Sequence, residues 1–347
     1  MQEFEGSDLP GNYFEGRGDL ALRVNRRYSL LSLVGHGGMG RVYRVEDSLR
    51  PGVPLIMKVK GADNRGIDGE GLQREFLTLS QLAHPSLPRA YDFAWVENLE
   101  GESEEVDSPP LHQPFMIRDY VEGEPLLKAS AGFDLIDKIS LLYQVSLALT
   151  YLHNQGLLYR DISSDNILVK GPSGSVGPQI FLMDMGLVMG IGAEGPRSGT
   201  AKYLAPEVLR GEAATLRSEV YAFGVLAYEC LAGAHPFPEA KDTVSLVRAH
   251  LAKAVAPLLM LPPSLTSLLN ALLDKEPERR PEDLRQAGEI FAEVLASLDQ
   301  RVPRLLGVGE PLVKGRVALR HSLTKQLLAR EGLDPHGARF WPREGRG

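Results

Sequence analysis

The stretch Leu158-Tyr159-Arg160-Asp161-Ile162-Ser163-Ser164-Asp165-Asn166 decides how the rest of the chain is interpreted. It places an aspartate and an asparagine five positions apart, after an apolar helical stretch, and Met183-Asp184-Met185-Gly186 follows farther along. Side-chain oxygens from these two loops can converge on a hydroxyl group and on a magnesium ion, which prefers carboxylate and phosphate oxygens. The two segments therefore predict a phosphoryl-transfer site.

Length and composition are those of an ordinary globular protein. The 347 residues are enough for two domains or one large two-lobed domain, and 43% of them are hydrophobic and 24% charged. The net charge of −7 argues against a general nucleic-acid binder. Cys230 is the only cysteine, which excludes an intramolecular disulfide and a cysteine-based metal site.

Targeting signals are also missing from the sequence pattern. No stretch approaches the ~20 apolar residues that span a bilayer, and the N-terminus lacks the basic and then apolar layout of a signal peptide. We therefore predict no transmembrane segment and a cytoplasmic location.

The C-terminal residues 299–347 are predicted to form a basic extension. The last 47 residues hold 10 Lys or Arg against 4 Asp or Glu, and Leu319–Arg330 has the pattern of a short basic helix. Such a tail either is a solvated extension or docks onto an acidic partner, a membrane surface or the body of the protein.

Between an N-terminal extension predicted over 1–27 and this tail, the predicted secondary structure changes once, from mainly strands to mainly helices. Strands are predicted over Tyr28–Val45 (two strands and a glycine-rich turn), Pro54–Val59, Leu87–Trp95 and Phe115–Tyr120, with one helix over Leu72–Leu82 and a structureless insertion over Glu97–Pro114. Beyond Gly123 the pattern is helical, most strongly at Leu135–Leu152 and Ser218–Leu231. A sheet-rich part over 28–120 and a helical part over 121–298 indicate an α+β fold with two lobes.

A glycine-rich segment lies in the first predicted strand pair. Gly35-His36-Gly37-Gly38-Met39-Gly40-Arg41-Val42 matches GxGxxGxV, in which glycine lets backbone N–H groups approach a phosphate. Lys58 lies on the third predicted strand, where a lysine can bind phosphates and pair with a glutamate of the next helix, for which Glu75 is the candidate. Each residue alone is more often a surface charge, but their order and spacing favour a nucleotide site.

In this order the motifs resemble those of the eukaryotic-type (Hanks-type) protein kinases, and most of all the bacterial serine/threonine kinases. The motifs run from Gly35 to Arg280, and the resemblance covers Tyr28–Leu298. It implies a bilobal protein-kinase-like fold: a small antiparallel-sheet N-lobe with one main helix and a larger helical C-lobe. The implied phosphoryl donor is ATP, the metal Mg²⁺ or Mn²⁺, and the substrates are serine and threonine hydroxyls of proteins.

The resemblance also implies roles for single residues. Asp161 is the catalytic base, Asn166 and Asp184 hold the metal, and Lys58 holds the nucleotide phosphates. The implied catalytic residues are Asp161, Lys58, Glu75, Asn166, Ser163 and Thr200. The implied nucleotide-binding residues are Gly35, Gly37, Gly40, Val42, Ile56, Lys58, Asp119, Val121 and Leu168.

Downstream, Gly199–Glu207 resembles the end of a kinase activation segment. By this resemblance Thr200 contacts the catalytic aspartate, and Glu207 pairs with Arg280. The segment Ala205-Pro206-Glu207 favours a protein substrate, because related small-molecule kinases usually lack it.

Several positions depart from the family pattern. Ser163 stands where the family carries a lysine that touches the γ-phosphate, and its loss is expected to cost about one to three orders of magnitude in rate. Arg197 or Lys202 is a candidate for the missing charge. Arg118 at the gatekeeper position and Ile56 at the roof of the adenine site predict a tighter, charged pocket.

The remaining departures are predicted to be mild. Tyr159 and Met185 take packing positions usually held by histidine and phenylalanine, and Glu219 keeps the carboxylate of the usual aspartate. Together the departures leave two alternatives to a protein kinase: a pseudokinase that binds nucleotide or acts as a scaffold, and a small-molecule kinase.

Overall fold

The computed structural model describes residues 22–37, 40–60, 70–101, 107–172, 177–193 and 200–306, with only the backbone described at 36–37 and 299–306. These residues group into two compact units. The first unit combines Met1–Gln73 with Tyr91–Tyr120, and the second combines Arg74–Ala90 with Val121–Gly347. The predicted helix Leu319–Arg330 and the tail beyond residue 306 lie outside the described residues.

The first unit contains a seven-stranded sheet in the order β5-β7-β4-β3-β2-β1-β6. Pairing is antiparallel from β7 across to β6. The strands are β1 (Arg23–Val24), β2 (Tyr28–Gly37), β3 (Gly40–Asp47), β4 (Leu55–Val59), β5 (Ala90–Trp95), β6 (Leu99–Glu100) and β7 (Pro114–Asp119). Helix α1 (Glu70–Ser80) follows β4 and contains the boundary between the two units.

The two faces of this sheet have different roles because side chains alternate along a strand. One face supplies the hydrophobic core, which includes Tyr43, Val45, Leu55, Met57, Val59, Phe115 and Ile117. The opposite face therefore carries the residues between them, among them Val42, Ile56, Lys58 and Arg118. The predicted nucleotide-binding residues of β3 and β4 thus share one face, turned away from the core.

The sheet includes two short strands, β1 and β6, that the sequence analysis did not predict. Residues 1–27 were expected to be an extension and Glu97–Pro114 to be structureless, yet β1 pairs with both β2 and β6. Leu22 and Val24 are buried in the core of the unit. Two-residue strands carry too little periodicity to be recognised in a sequence, which explains the error.

A buried carboxylate fixes the turn that follows β1. Asp47 at the end of β3 is fully buried and accepts hydrogen bonds from Arg27 Nε at 2.8 Å and Nη2 at 2.9 Å, and from Arg50 Nη1 at 2.8 Å. The hydrogen bonds from Arg27 lower the pKa of Asp47 to about 2. Since a buried charge is stable only when it is paired, Arg27 holds the start of β2 to the end of β3.

The second unit is mainly helical, as predicted. Its helices are α2 (Leu126–Ser130), α3 (Leu135–Asn154), α4 (Pro206–Arg210), α5 (Leu216–Ala232), α6 (Thr243–Ala252), α7 (Pro263–Leu272) and α8 (Arg285–Leu306), with a 3₁₀ turn at Pro277–Arg279. Its short strands are β8 (Glu124–Pro125), β9 (Leu157–Leu158), β10 (Ile167–Lys170), β11 (Gln179–Leu182) and β12 (Met189–Gly190). The helices predicted at Leu135–Leu152 and Ser218–Leu231 are confirmed to within two residues at each end.

The starts of the long helices follow from their capping residues. Asp134 accepts a hydrogen bond from the N–H of Asp137 at 2.8 Å before α3. Thr215 and Ser218 form a capping box at α5, and Asp242 and Ser245 form another at α6. Each pair satisfies N–H groups that the first helical turn leaves without partners.

Helix α3 is the central helix of the second unit. Among the described residues it alone is long and apolar enough to cross a membrane by length and composition. Half of its apolar window is buried in the protein, where it packs against α5 and α8. Such burial is typical of the core helix of a globular unit, so its composition is weak evidence for a membrane span.

Helices α5 and α7 approach each other closely at Gly224. A Cβ atom at this position would lie 2.8 Å from Leu272 Cβ. Only glycine allows this approach without displacing α7, which explains a glycine inside an otherwise apolar helix.

The predicted ion pair between Glu207 and Arg280 is present and buried. Arg280 donates from Nη1 to Oε1 at 2.7 Å and from Nη2 to Oε2 at 2.8 Å, and Ser218 Oγ donates to Oε1 at 2.8 Å. Arg280 also donates to the carbonyls of Asp274, Arg217 and Lys275. Burial by itself would raise the pKa of Glu207, but the hydrogen bonds and charge of Arg280, together with hydrogen bonds from the backbone and Ser218, hold the pKa below its ordinary value.

Replacing Arg280 should destabilise the second unit strongly. We expect Arg280→Ala to lower the free energy of unfolding by about 3–5 kcal/mol, because it leaves a buried carboxylate without its partner. Arg279→Ala, at the exposed neighbouring position, should change it by less than about 0.5 kcal/mol. Urea denaturation followed by circular dichroism measures both.

The same pair gives a pH dependence with a definite sign. A carboxyl group with a lowered folded-state pKa stabilises the fold above its unfolded pKa, and this stabilisation is lost as the pH falls through the folded-state pKa. The difference between wild type and Arg280→Ala should therefore shrink in acid. A difference that grew on acidification would contradict this assignment.

Candidate active site

The loop between β9 and β10, residues 159–166, is held from behind by Glu219 of α5. Arg160 has φ of +68°, a left-handed conformation that costs a non-glycine residue about 1–3 kcal/mol. Its backbone N–H donates to Glu219 Oε1, and His153 Nε2 lies 2.7 Å from Glu219 Oε2. The buried carboxylate of Glu219 therefore binds the loop backbone and stabilises the strained residue.

On its solvent side the same loop presents Asp161 with both carboxylate oxygens engaged. Asn166 Nδ2 donates to Asp161 Oδ2 at 2.6 Å and to the Asp161 carbonyl at 3.0 Å. Thr200 donates to Asp161 Oδ1 from its backbone N–H and from Oγ1, each at 3.0 Å. The carboxylate is therefore fixed in orientation, as a proton acceptor at a reacting hydroxyl needs to be.

Asn166 and Asp184 are placed by the hairpin of β10 and β11. Ile167 pairs with Leu182, and the N–H of Met183 donates to the Asn166 carbonyl at 2.9 Å. Asp184 follows directly, and its Oδ1 accepts a hydrogen bond from the N–H of Gly186 at 2.9 Å. The hairpin thus brings the two predicted metal ligands to the same end of adjacent strands.

The donor chemistry of these two residues fits magnesium. Asn166 makes both of its hydrogen bonds to Asp161 through the amide nitrogen Nδ2 and not through the amide oxygen. The described residues contain no cluster of three or more His, Cys, Asp and Glu that could hold a metal. A carboxylate and an amide oxygen without a full protein cage suit Mg²⁺, which commonly keeps waters and substrate phosphates as its other ligands.

Ser163 and Ser164 are both buried in this loop. Ser163 is 3% exposed, and Ser164 Oγ accepts a hydrogen bond from the N–H of Leu127 on α2 at 2.9 Å. Lys202, one candidate for the missing charge, pairs instead with Glu229 of α5 through its Nζ at 2.5 Å. The expectation that Lys202 supplies a charge for Ser163 is therefore not supported, and Arg197 lies outside the described residues.

The two mild departures take the packing positions expected of them. Tyr159 is fully buried and donates to the carbonyl of Asn166 at 3.3 Å, and Met185 is 1% exposed. Burial raises the pKa of Tyr159 well above its ordinary value, so the hydroxyl stays protonated and available as a donor.

In the first unit, the glycine-rich segment is the tip of the β2–β3 hairpin. Gly35 pairs with Val42 and Gly37 with Gly40, whose φ is +121°, while residues 38–39 lie outside the described residues. Lys58 pairs with Val42 on one side and with Met116 on the other. The hairpin tip and Lys58 therefore belong to neighbouring strands of one sheet.

The predicted adenine-site residues are distributed over both units. Ile56 pairs with Arg118, which is 8% exposed, so these two side chains share one face of the first unit. Asp119 ends β7 and accepts a hydrogen bond from Tyr91 Oη at 2.8 Å. Leu168 lies on β10 beside Pro125 of β8, and Val121 opens the segment before β8. Glu75 is buried on α1, and its pairing with Lys58 stays a prediction.

With this geometry established, comparison with known proteins identifies the family. The family model described as "Protein kinase domain" matches residues 28–293. The chain belongs to the protein kinase family. The fold class predicted from sequence, α+β with a sheet-based part and a helical part, is confirmed.

Three of the relatives that this kinase chain resembles are bacterial proteins. The chain is 30% identical over 299 residues to "Serine/threonine-protein kinase PknA" of Mycobacterium tuberculosis, covering 82% of this chain and 64% of the relative. It is 28% identical over 311 residues to "Serine/threonine-protein kinase pkn2" of Myxococcus xanthus, covering 84% and 35%. For "Probable serine/threonine-protein kinase PknB" of Bifidobacterium longum the identity is 29% over 290 residues, covering 80% and 40%. The chain thus spans less than two thirds of the length of each of these relatives.

Sequence reasoning missed three histidines that bond to groups around the site. His153 bonds to Glu219, and His235 and His250 bond to the Lys202 carbonyl. For His153 and His250, a histidine inside an apolar helical segment was the available signal, whereas His235 lies in the connection after α5 and gave none.

We expect Glu219→Ala to loosen the loop that carries Asp161. The change removes the acceptor of the Arg160 N–H and the partner of His153, so amide hydrogen exchange over 158–166 should accelerate by about tenfold or more. Glu212→Ala, at an exposed position, is the matched control and should exchange as wild type does. Equal exchange rates in the two variants would remove Glu219 from this role.

Proposed function

We propose that this protein transfers the γ-phosphoryl group of ATP to serine or threonine hydroxyls of protein substrates. The observation that carries the proposal is the fixed carboxylate of Asp161, held by Asn166 on one oxygen and by Thr200 on the other. Membership of the protein kinase family and relatives named as serine/threonine kinases support the same reaction.

Asp161 acts on the substrate hydroxyl. As the hydroxyl oxygen bonds to the γ-phosphorus and the bond to the β–γ bridging oxygen breaks, the hydroxyl proton passes to the Asp161 carboxylate and ADP departs. The hydrogen bonds from Asn166 and Thr200 keep the carboxylate oriented throughout. Little covalent chemistry is left for the protein, so orientation is the main contribution of these residues.

Asn166 and Asp184 would hold Mg²⁺, or Mn²⁺ in its place. The bound metal supplies charge that offsets the negative charge on the transferring phosphoryl group. Asn166 would thus have two roles: its amide nitrogen donates to Asp161, and its amide oxygen would bind the metal.

The remaining predicted residues serve the nucleotide. Gly35, Gly37 and Gly40 offer backbone N–H groups to the phosphates, and Lys58 offers its ammonium group. Adenine would contact the residues Val42, Ile56, Asp119, Val121 and Leu168. Glu75 would orient Lys58.

The decisive assay is transfer of labelled γ-phosphate to a generic basic protein or to the protein itself, with ATP and Mg²⁺. We expect Asp161→Asn to lower the rate by about 10²–10⁴-fold, because the amide cannot accept the proton. Asp165→Asn, at an exposed position of the same loop, should retain transfer. Equal transfer by wild type and Asp161→Asn would refute the kinase assignment.

Ser163→Lys tests the largest departure from the family. A lysine at this position restores a charge at the γ-phosphate, so we expect kcat to rise by about tenfold or more while the ATP Michaelis constant stays within about twofold. Ser163→Met adds length at this buried position without charge and serves as the control. An effect confined to the ATP Michaelis constant would show that Ser163 does not limit the chemical step.

A second candidate function is a nucleotide-binding or scaffolding module without transfer activity. It is favoured by the buried Arg118 opposite Ile56 and by the missing lysine at Ser163. A magnesium-dependent thermal shift with ATP, together with no labelling of any substrate, would select this function. Labelling of a sugar or an antibiotic without protein labelling would select a small-molecule kinase.

A further inference from the structure

The backbone carbonyl of Lys202 accepts hydrogen bonds from two histidine side chains. His250 Nε2 of α6 lies 3.0 Å from this oxygen, and His235 Nε2, in the connection after α5, lies 3.1 Å from it. A carbonyl oxygen has two lone pairs, and here both are used by donors from different elements. We call His235 and His250 the carbonyl clamp.

The protonation state of His235 follows from its two contacts. The backbone N–H of Phe237 donates to His235 Nδ1 at 3.2 Å, so Nδ1 carries no proton. The Lys202 carbonyl can only accept, so Nε2 carries the proton. His235 is therefore neutral, and its tautomer is the one that serves the clamp.

His250 belongs to a chain of hydrogen bonds in which the direction of each donor is fixed. Lys275 Nζ donates to Tyr221 Oη at 3.1 Å, Tyr221 Oη lies 2.9 Å from His250 Nδ1, and His250 Nε2 faces the Lys202 carbonyl. An ammonium group can only donate and a carbonyl can only accept. The tyrosine hydroxyl therefore donates to Nδ1, and His250 is neutral with its proton on Nε2.

Burial and packing agree with these states. His250 and Tyr221 are fully buried, and burial, with His235 and Lys275 adding to it, lowers the pKa of His250 to about 3. Burial also lowers the pKa of His235. The Phe237 ring packs edge-on against both imidazoles, at centroid distances of 5.7 Å and 5.1 Å.

The clamped carbonyl belongs to the segment that reaches the catalytic aspartate. Thr200, two residues before Lys202, donates twice to Asp161, and Tyr203 Oη donates to Glu229 at 2.9 Å. A cavity separates part of this segment from α5; its lining includes Thr200, Leu204, Val208, Ser218, Glu219 and Ala222. Beside this cavity, the hydrogen bonds at Lys202 and Tyr203 add to the packing that holds residues 200–204.

We propose that His235 and His250 are positioning residues for the peptide chain of the substrate, an inference that rests on the proposed function. Thr200 bonds to Asp161, so a hydroxyl that reaches Asp161 comes close to the start of residues 200–204, and in this proposal part of the flanking peptide lies along these residues. By fixing the Lys202 carbonyl, the carbonyl clamp fixes the surface against which this peptide lies. The clamp touches neither the reacting atoms nor the nucleotide.

Matched variants of His250 separate the hydrogen bond from the packing. His250→Phe keeps a ring but removes the donor, whereas His250→Gln keeps an amide N–H close to the position of Nε2. With a synthetic peptide containing one serine, we expect His250→Phe to lower kcat/KM for the peptide by about fivefold to tenfold, the effect of one neutral hydrogen bond. The ATP Michaelis constant should stay within about twofold, and His250→Gln should recover most of the loss.

Two further variants and a measurement of amide hydrogen exchange make the test independent of substitutions at His250 alone. His235→Leu, at a half-buried position, should behave as His250→Phe does, and Val244→Ala on the exposed side of α6 should behave as wild type does. Amide hydrogen exchange over residues 200–204, measured without ATP or peptide, should accelerate in His250→Phe and return toward wild type in His250→Gln.

The outcomes distinguish this inference from the proposed function. Equal kinetic losses in His250→Phe and His250→Gln, or an unchanged exchange rate over 200–204 in both clamp variants, would overturn the positioning role. Absence of phosphoryl transfer by wild type would count against the proposed function instead. Amide hydrogen exchange and the affinity for the fluorescently labelled peptide would then test whether the carbonyl clamp positions the peptide.

Discussion

The buried carboxylate of Glu219 is the contact on which the rest of the site depends. It joins three parts of the second unit: α5, which carries it, the end of α3 through His153, and the loop backbone at Arg160. Because Arg160 is held in a left-handed conformation, the direction of the chain into Asp161 is set at this point. The longer side chain of glutamate, compared with the aspartate usual in the family, still reaches the loop.

Hydrogen bonds connect Asp161 to two other parts of the second unit. Asn166 connects the aspartate to the β10–β11 hairpin and so to Asp184, and Thr200 connects it to the segment held by the carbonyl clamp. Asp161 thus accepts hydrogen bonds from two different parts of the second unit. A displacement in either part would change its orientation without any change in its own identity.

Much of the fold and part of the site could be predicted from the sequence. Helices such as α3 and α5 have strong periodicity and capping residues, and the motif order predicts which side chains lie near Asp161. The contacts of Lys202 could not be predicted, because its pairing with Glu229 depends on how α5 packs beneath the activation segment. The short strand β1 was missed for a different reason: two residues have no readable period, and their burial comes from the sheet around them.

That short strand has a consequence for how the kinase unit is delimited. The family match starts at residue 28, whereas Leu22 and Val24 already belong to the hydrophobic core, and Arg27 holds the buried Asp47. A chain shortened to the family boundary would lose these contacts and uncover the edge of β2 at Tyr28 and Ser29, where β1 pairs with it. Unpaired N–H and C=O groups at a strand edge pair readily with other chains, so the residues just before the recognised domain shield this part of the sheet.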